Sequence, residues 1–290
     1  MIASSLLRSK KLLYILGAIA PIVALVSYPA VRLFGKHRPR FVYATHTLTN
    51  DDFSQLSKRP GWAAVSTVVS EGISLNGLVR RPATANAPWV LYFPGNDPTQ
   101  LAQGQQFLER LRQERDWGLF LSSYRGYDSS GGTPSREALA ADALRIFDSF
   151  IQREHVFPIQ IHVVAFSLGG YLAAHLVGQA GHPGRNVASL TLLASVQSIE
   201  MVRPSRFQRF AFGDIYDISS LLNSIDTRTL VVTGSADEAL GVDQARAIAT
   251  QLGNRAHYIQ LSGVGHESLL SSEPALTAVR DWIESASRPK

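Results

Sequence analysis

From Trp62 to Ser285, short runs of β-branched and aromatic residues alternate with longer stretches of helical period, and this alternation is the strongest constraint on the fold. Ala64 to Ser70 and Ile73 to Val79 read as a β-hairpin turning at Glu71-Gly72, and Trp89 to Phe93 as a buried strand. Further strands are expected at Trp117 to Ser122, Ile159 to Ala165, Ala188 to Ala194, Thr229 to Thr233 and His257 to Leu261. Between and after them, helical patterns run over Leu101 to Arg115, Ser135 to Gln152, Ser167 to Gly178, Asp243 to Leu252 and Glu273 to Ser285. An opening hairpin followed by repeated β and α units implies an α/β architecture, a mostly parallel twisted sheet flanked by helices. Strands of such a sheet are covered on both faces, which suits unbroken apolar runs such as Val90-Leu91-Tyr92-Phe93. Reacting groups gather at the carboxyl ends of the strands, so those loops are where chemistry is expected.

The 290 residues include 28 Lys and Arg against 23 Asp and Glu, a net charge of +5. Nucleic acid is not implied, because Arg8, Lys10, Lys11, Arg32, Lys36, Arg38 and Arg40 lie in the first 40 residues, which hold no acid; the remainder has 21 basic against 23 acidic side chains. These cations flank 20 consecutive uncharged residues, Leu12 to Val31. At the helical rise such a run crosses a hydrocarbon core of roughly 30 Å. The sequence therefore predicts a basic flank over 1–11, a single-pass transmembrane signal-anchor helix over 12–34, a connector over 35–61 and one domain over 62–290. A cleaved signal peptide is the competing reading, but its best site, Ala18-Ile19-Ala20, is followed by Pro21. The cations balance across the span, so they do not orient it. The absence of cysteine leans towards an extracytoplasmic side, and it also excludes a disulfide framework, a thiolate zinc site and a cysteine nucleophile.

One segment has the form of a nucleophile elbow. The strand ending at Ala165 runs into Phe166-Ser167-Leu168-Gly169-Gly170, and a helix follows. Small residues two before and two after the serine, here Ala165 and Gly169, let the tight turn pass its neighbours. A serine hydroxyl needs a base, and the base needs a carboxylate to fix its tautomer. The strand Thr229 to Thr233 ends in Gly234-Ser235-Ala236-Asp237, and the strand His257 to Leu261 ends in Ser262-Gly263-Val264-Gly265-His266. Of the eight histidines only His266 occupies a glycine-rich loop at the expected strand end. Asp226 precedes its strand and Glu238 lies one residue beyond Asp237, so Ser167, Asp237 and His266 are the expected catalytic set. Acyl transfer also needs donors for a developing oxyanion. The amides of Leu168 and, in the loop Pro94-Gly95-Asn96, of Asn96 are the candidates, since Pro94 has no N–H.

These features resemble the α/β-hydrolase fold superfamily over about residues 62 to 286. The segment Tyr124-Arg125-Gly126-Tyr127-Asp128-Ser129-Ser130-Gly131-Gly132-Thr133-Pro134-Ser135 is similar to one in membrane-anchored α/β-hydrolase-domain proteins. That resemblance implies an α/β-hydrolase fold and a serine hydrolase (esterase, lipase or thioesterase) acting through an acyl-enzyme, with a single N-terminal membrane helix. Three residues depart from the family pattern: Pro94 stands for histidine, Asp128 for glycine and Ala165 for the elbow glycine.

Only 34 residues, 195–228, separate the strand ending at Ala194 from Thr229, so the lid over the site is expected to be small. Arg203, Arg206, Phe207, Arg209, Phe210 and Phe212 give it a mixture suited to a lipid interface or, equally, to an ordinary amphipathic cap. The substrate expected is a small-molecule or lipid ester. No phosphate-binding Gly-x-x-x-x-Gly-Lys, Gly-x-Gly-x-x-Gly or His-x-x-x-His pattern is present, and neither a cofactor nor a metal is called for. The reading from another class is a silent hydrolase-fold scaffold, motivated by Asp128 and Pro94.

Overall fold

A computed structural model describes residues 43–45, 48–198 and 216–287. Its eight strands are β1 (Trp62–Ser70), β2 (Ile73–Arg80), β3 (Trp89–Phe93), β4 (Gly118–Ser122), β5 (Ile161–Phe166), β6 (Ser189–Leu193), β7 (Thr229–Gly234) and β8 (Ala256–Leu261). They form one sheet in the order β1-β2-β4-β3-β5-β6-β7-β8. β1 pairs antiparallel with β2, and β2 with β4; every later pair is parallel. The expected hairpin is present, with Gly72 in the turn at φ 69°.

Helices fill both faces. On one side α3 (Arg136–Glu154), α4 (Gly169–Gly178), a turn at Ser219–Leu222 and α5 (Val242–Leu252) pack in succession. On the other lie α1 (Asn50–Ser57), α2 (Gln100–Arg112) and α6 (Glu273–Ser287). The unbroken apolar strands follow from this double cover: in β3, Val90 and Tyr92 join the cluster with Phe107, Leu111, Val279 and Ile283, while Trp89 points the other way and meets Phe150 of α3 at 5.3 Å between rings. Gly118 opens β4 because any Cβ there would overlap the indole of Trp89.

The domain starts earlier than residue 62. The compact unit begins at Tyr43, and the stretch read as connector contains α1. Thr49 caps that helix, its hydroxyl accepting from Asp52 N–H at 3.1 Å while the Asp52 carboxylate receives the Thr49 hydroxyl at 2.6 Å. Leu48 and Leu56 are buried in the core under α2, and Gln105 donates to the Leu56 carbonyl at 2.9 Å. A helix of two turns is too short to show an apolar period, and Thr49-x-x-Asp52 was the signal that marked it. The predicted flank 1–11, the apolar helix 12–34 and lid residues 199–215 lie outside the described residues. Among the described residues no helix is long and apolar enough to cross a membrane.

The loop after β4 is tied to α3 by an ion pair. Arg125 Nε and Nη2 donate to Asp142 Oδ2 and Oδ1 at 2.5 and 2.6 Å, with the Asp142 side chain 1% exposed. Removing one partner leaves the other charge buried, so Asp142→Ala is expected to cost about 3 kcal/mol in urea denaturation. The double variant Arg125→Met, Asp142→Leu should recover most of that loss, and additive losses would show that the two charges act independently.

Candidate active site

The site is assembled at the carboxyl ends of β3, β5, β7 and β8. Ser167 follows β5 with φ 50°, a left-handed conformation uncommon for a residue with a side chain. Its N–H donates to the Leu193 carbonyl at 2.9 Å, which holds the turn against β6. Gly169 starts α4 directly against β3: a Cβ there would overlap the carbonyl oxygen of Phe93. A Cβ on Gly170 would overlap Ser195 Oγ. Ala165 is fully buried in β5, paired in the ladders with Phe93 and Leu192. Leu168 is the N-cap of α4, at the helix end where N–H groups have no partner within the helix and the dipole favours negative charge.

The loops after β7 and β8 are stitched together. Ser235 N–H donates to Leu261 O at 2.8 Å, Ala236 N–H to Val264 O at 3.0 Å, and Gly263 N–H to Ser235 Oγ at 2.9 Å. This brings the expected acid and base into contact, with His266 Nδ1 2.9 Å from Asp237 Oδ2. The other carboxylate oxygen accepts the N–H groups of Ala239 and Leu240 at 3.0 and 2.9 Å. Burial raises the Asp237 pKa, but these hydrogen bonds, led by that from His266, outweigh it and hold the carboxyl below its usual value. A bonded Nδ1 leaves Nε2 as the nitrogen able to take a proton. The His266 ring lies 4.9 Å from that of Phe166, beside the serine. The side-chain hydrogen bond of His266 is to Asp237 and not to Ser167 Oγ; serine–histidine contacts are commonly long in the absence of substrate.

The rivals lie elsewhere. Asp226 is on the surface, paired with Arg185 at 2.8 Å, and Glu238 is exposed. His162 is buried in β5 between the hydroxyls of Ser189 and Ser287, and burial pushes its pKa down to about 4. His182 pairs with Asp148 at 3.1 Å, and His257 stacks on Trp282. Among the described residues no group of His, Asp or Glu is arranged to hold a metal.

The loop Pro94-Gly95-Asn96 runs beside the serine: a Cβ on Gly95 would lie 2.8 Å from the Phe166 ring and 3.4 Å from Ser167 Cβ. Its polar groups are held from the loop after β4, from α2 and from the segment before α1. Tyr124 OH donates to Pro94 O at 2.7 Å and Gln100 Nε2 to Gly95 O at 2.8 Å. Asn96 Oδ1 accepts from Tyr127 OH at 2.5 Å and from Ala44 N–H at 2.8 Å. Gln100 and Ala44 carry no sequence signal, since what they contact is decided only by packing.

Asp128 explains one departure from the family pattern. Its φ is 46°, the left-handed region where glycine is most at ease and Asp is tolerated. The side chain takes up a new role, with Oδ2 accepting the Leu101 N–H at 2.8 Å at the start of α2.

A model of the family described as alpha/beta hydrolase fold matches residues 88–218, and one described as TAP-like protein matches 216–290. The chain belongs to the α/β-hydrolase superfamily. It is 25% identical over 274 residues to an uncharacterized protein of Mycobacterium tuberculosis, covering 91% of this chain and 94% of that one. A shorter match of 93 residues, 31% identical, is to lysophosphatidylserine lipase ABHD12 of Rattus norvegicus, covering 32% of this chain and 23% of the relative. Among solved structures, an alpha-beta hydrolase from Vibrio vulnificus superposes with a TM-score of 0.69 at 20% identity, over 90% of this chain and 93% of the other. An esterase of Pyrococcus furiosus superposes at 0.64 and 12% identity, over 85% and 98%. At these identities the two structures establish the fold.

Asp128 carries a consequence for stability. Burial pushes its carboxyl up to about 7, the Leu101 N–H opposing the shift and the Asp97 charge adding to it. A carboxyl raised in the folded state binds its proton more tightly there than in the unfolded chain. Its favourable contribution is full below the unfolded value of 3.8 and is lost as the pH rises through about 7. Asp128→Asn keeps the acceptor and the backbone preference without the charge. It should flatten stability between about pH 4 and 8 and exceed wild type at the upper end, by on the order of a few kcal/mol in urea titrations. An unchanged pH slope would refute the assignment.

Proposed function

We propose that the protein is a membrane-anchored serine hydrolase that cleaves carboxylic ester or thioester bonds, lipid esters included, through an acyl-enzyme on Ser167. The observation that carries this reading is the Asp237–His266 pair, seated on the ring of Phe166 next to a serine in a left-handed turn. Ser167 Oγ attacks the acyl carbonyl as His266 Nε2 takes its proton. The tetrahedral oxyanion is received by the amides of Leu168 and Asn96. His266 then passes the proton to the departing alcohol or thiol, and the acyl group remains on Ser167. Water then attacks the acyl carbon as the same nitrogen takes its proton, the acyl–Oγ bond breaks to release the acid, and His266 returns the proton to Ser167 Oγ. Asp237, kept ionised by its three hydrogen bonds, holds the tautomer and balances the imidazolium.

The anchor is assigned to Leu12–Val31 on sequence grounds, with the orientation to be read by fractionation and protease protection. The likeness to a lysophosphatidylserine lipase favours trying lysophospholipids beside short esters. The silent-scaffold reading drew on Asp128 and Pro94; the first caps α2 and the carbonyl of the second is bonded to Tyr124, so neither displaces the loop from the serine.

A fluorophosphonate probe should label wild type on Ser167, with no adduct on Ser167→Ala. Asp237→Asn should lower kcat for p-nitrophenyl esters by roughly 10³ to 10⁴ by favouring the wrong tautomer. Equal labelling of wild type and Ser167→Ala would sink the proposal.

A further inference from the structure

The side chain of Gln100 is buried and has both ends of its amide in use. Nε2 donates to Gly95 O at 2.8 Å and Oε1 accepts the Tyr124 N–H at 3.1 Å, so the amide can be placed only one way round. The carbonyl it holds belongs to the peptide unit that carries the Asn96 N–H. In a planar trans peptide the C=O and N–H point in opposite directions. Fixing the Gly95 carbonyl on Gln100 therefore fixes the direction in which the Asn96 N–H is presented, on a loop whose Gly95 lies against Phe166 and Ser167.

Gln100 is itself pinned. It opens α2, whose next residue, Leu101, donates its N–H to the buried carboxylate of Asp128. Tyr124 closes the frame from the other side, its N–H on Gln100 and its hydroxyl on the Pro94 carbonyl. The loop after β4 thus grips the loop after β3 through fully buried polar groups, where the cost of a lost partner is high and the freedom to move is low. Substrate need not touch any of them.

We propose that Gln100 is a positioning residue for acyl transfer: clamped between Gly95 O and Tyr124 N–H, it sets the plane of the Gly95–Asn96 peptide and thereby aims the Asn96 amide at the developing oxyanion. This rests on the reading of Ser167 as nucleophile and Asn96 as oxyanion donor.

The test uses the full chain, with p-nitrophenyl butyrate as substrate and an alkyl trifluoromethyl ketone as an inhibitor whose serine adduct places a charged oxygen where the oxyanion forms. Gln100→Met removes both hydrogen bonds at nearly constant volume. It should lower kcat by roughly 10- to 100-fold, a part of the effect of deleting an oxyanion donor, with KM within about threefold of wild type. The inhibition constant should rise by about the same factor as kcat/KM falls. Gln100→Glu keeps the acceptor for Tyr124, and only its acid form can donate to Gly95 O. Its activity relative to wild type should therefore be higher near pH 6 than near pH 9. A merely structural role would lower thermal stability without tying the ketone affinity to kcat/KM or giving the Glu variant that pH signature. If Gln100→Met fails to fold, the Glu variant decides alone.

Unchanged kcat in the Met variant, a loss confined to KM, or a Glu variant whose ratio to wild type does not change with pH would overturn the assignment of Gln100 while leaving the nucleophile standing. A wild-type protein that neither labels nor hydrolyses the ester would overturn the underlying reading, and this one with it.

Discussion

The approach of Gly169 to the carbonyl of Phe93 is the contact on which the site depends. Because α4 begins without a side chain at that point, the helix can start in the turn directly after β5 and against the end of β3. That proximity goes with the left-handed conformation of Ser167 at the carboxyl end of the central strand β5, and it places the start of α4 beside the loop after β3. A larger residue would push the helix away and separate Ser167 from the loop after β3 at once. The strain in one serine dihedral is offset by the parallel ladders on either side, where β5 pairs with β3 and β6 over nearly its whole length.

Around this turn the charged and polar groups are distributed by depth. Asp237 is buried and given enough donors to remain an anion, whereas His266 keeps a free ring nitrogen and a ring face on Phe166. Behind the loop after β3, Gln100, Tyr124 and Asp128 are fully buried and mutually connected through backbone groups. The bonded groups of this network restrict motion, while Asp128 Oδ1 is buried without a partner among the described residues, in keeping with the raised pKa of that carboxyl. The departures at Pro94 and Asp128 are absorbed here: proline contributes a carbonyl that needs no N–H of its own, and aspartate exchanges the conformational freedom of glycine for a helix cap.

Much of the architecture was legible in the residues because it rests on local periodicity. Fully covered strands are uniformly apolar, helices repeat near 3.6 residues, and the small residues flanking Ser167 mark a turn that larger ones would block. That Ser167, Asp237 and His266 fall in turn after the ends of β5, β7 and β8 could be read from the strand-like run that precedes each. The stretch before Trp62 was less legible, since α1 is too short to show a period and Leu48 and Leu56 become core residues only by docking on α2.

By itself, then, the sequence determined the alternation of elements, the hairpin, the tight turn at Ser167 and the strand ends after which Asp237 and His266 fall, because each is written in neighbouring residues. Only the tertiary structure decided that the loops after β7 and β8 are bonded so that His266 reaches Asp237, that Asp128 caps a helix 27 positions earlier in the chain, and that Gln100 holds the carbonyl of Gly95. Those contacts join segments brought together by the crossovers of a parallel sheet. Sequence spacing cannot encode the distance between such segments, because it is set by how the helices pack over the strands.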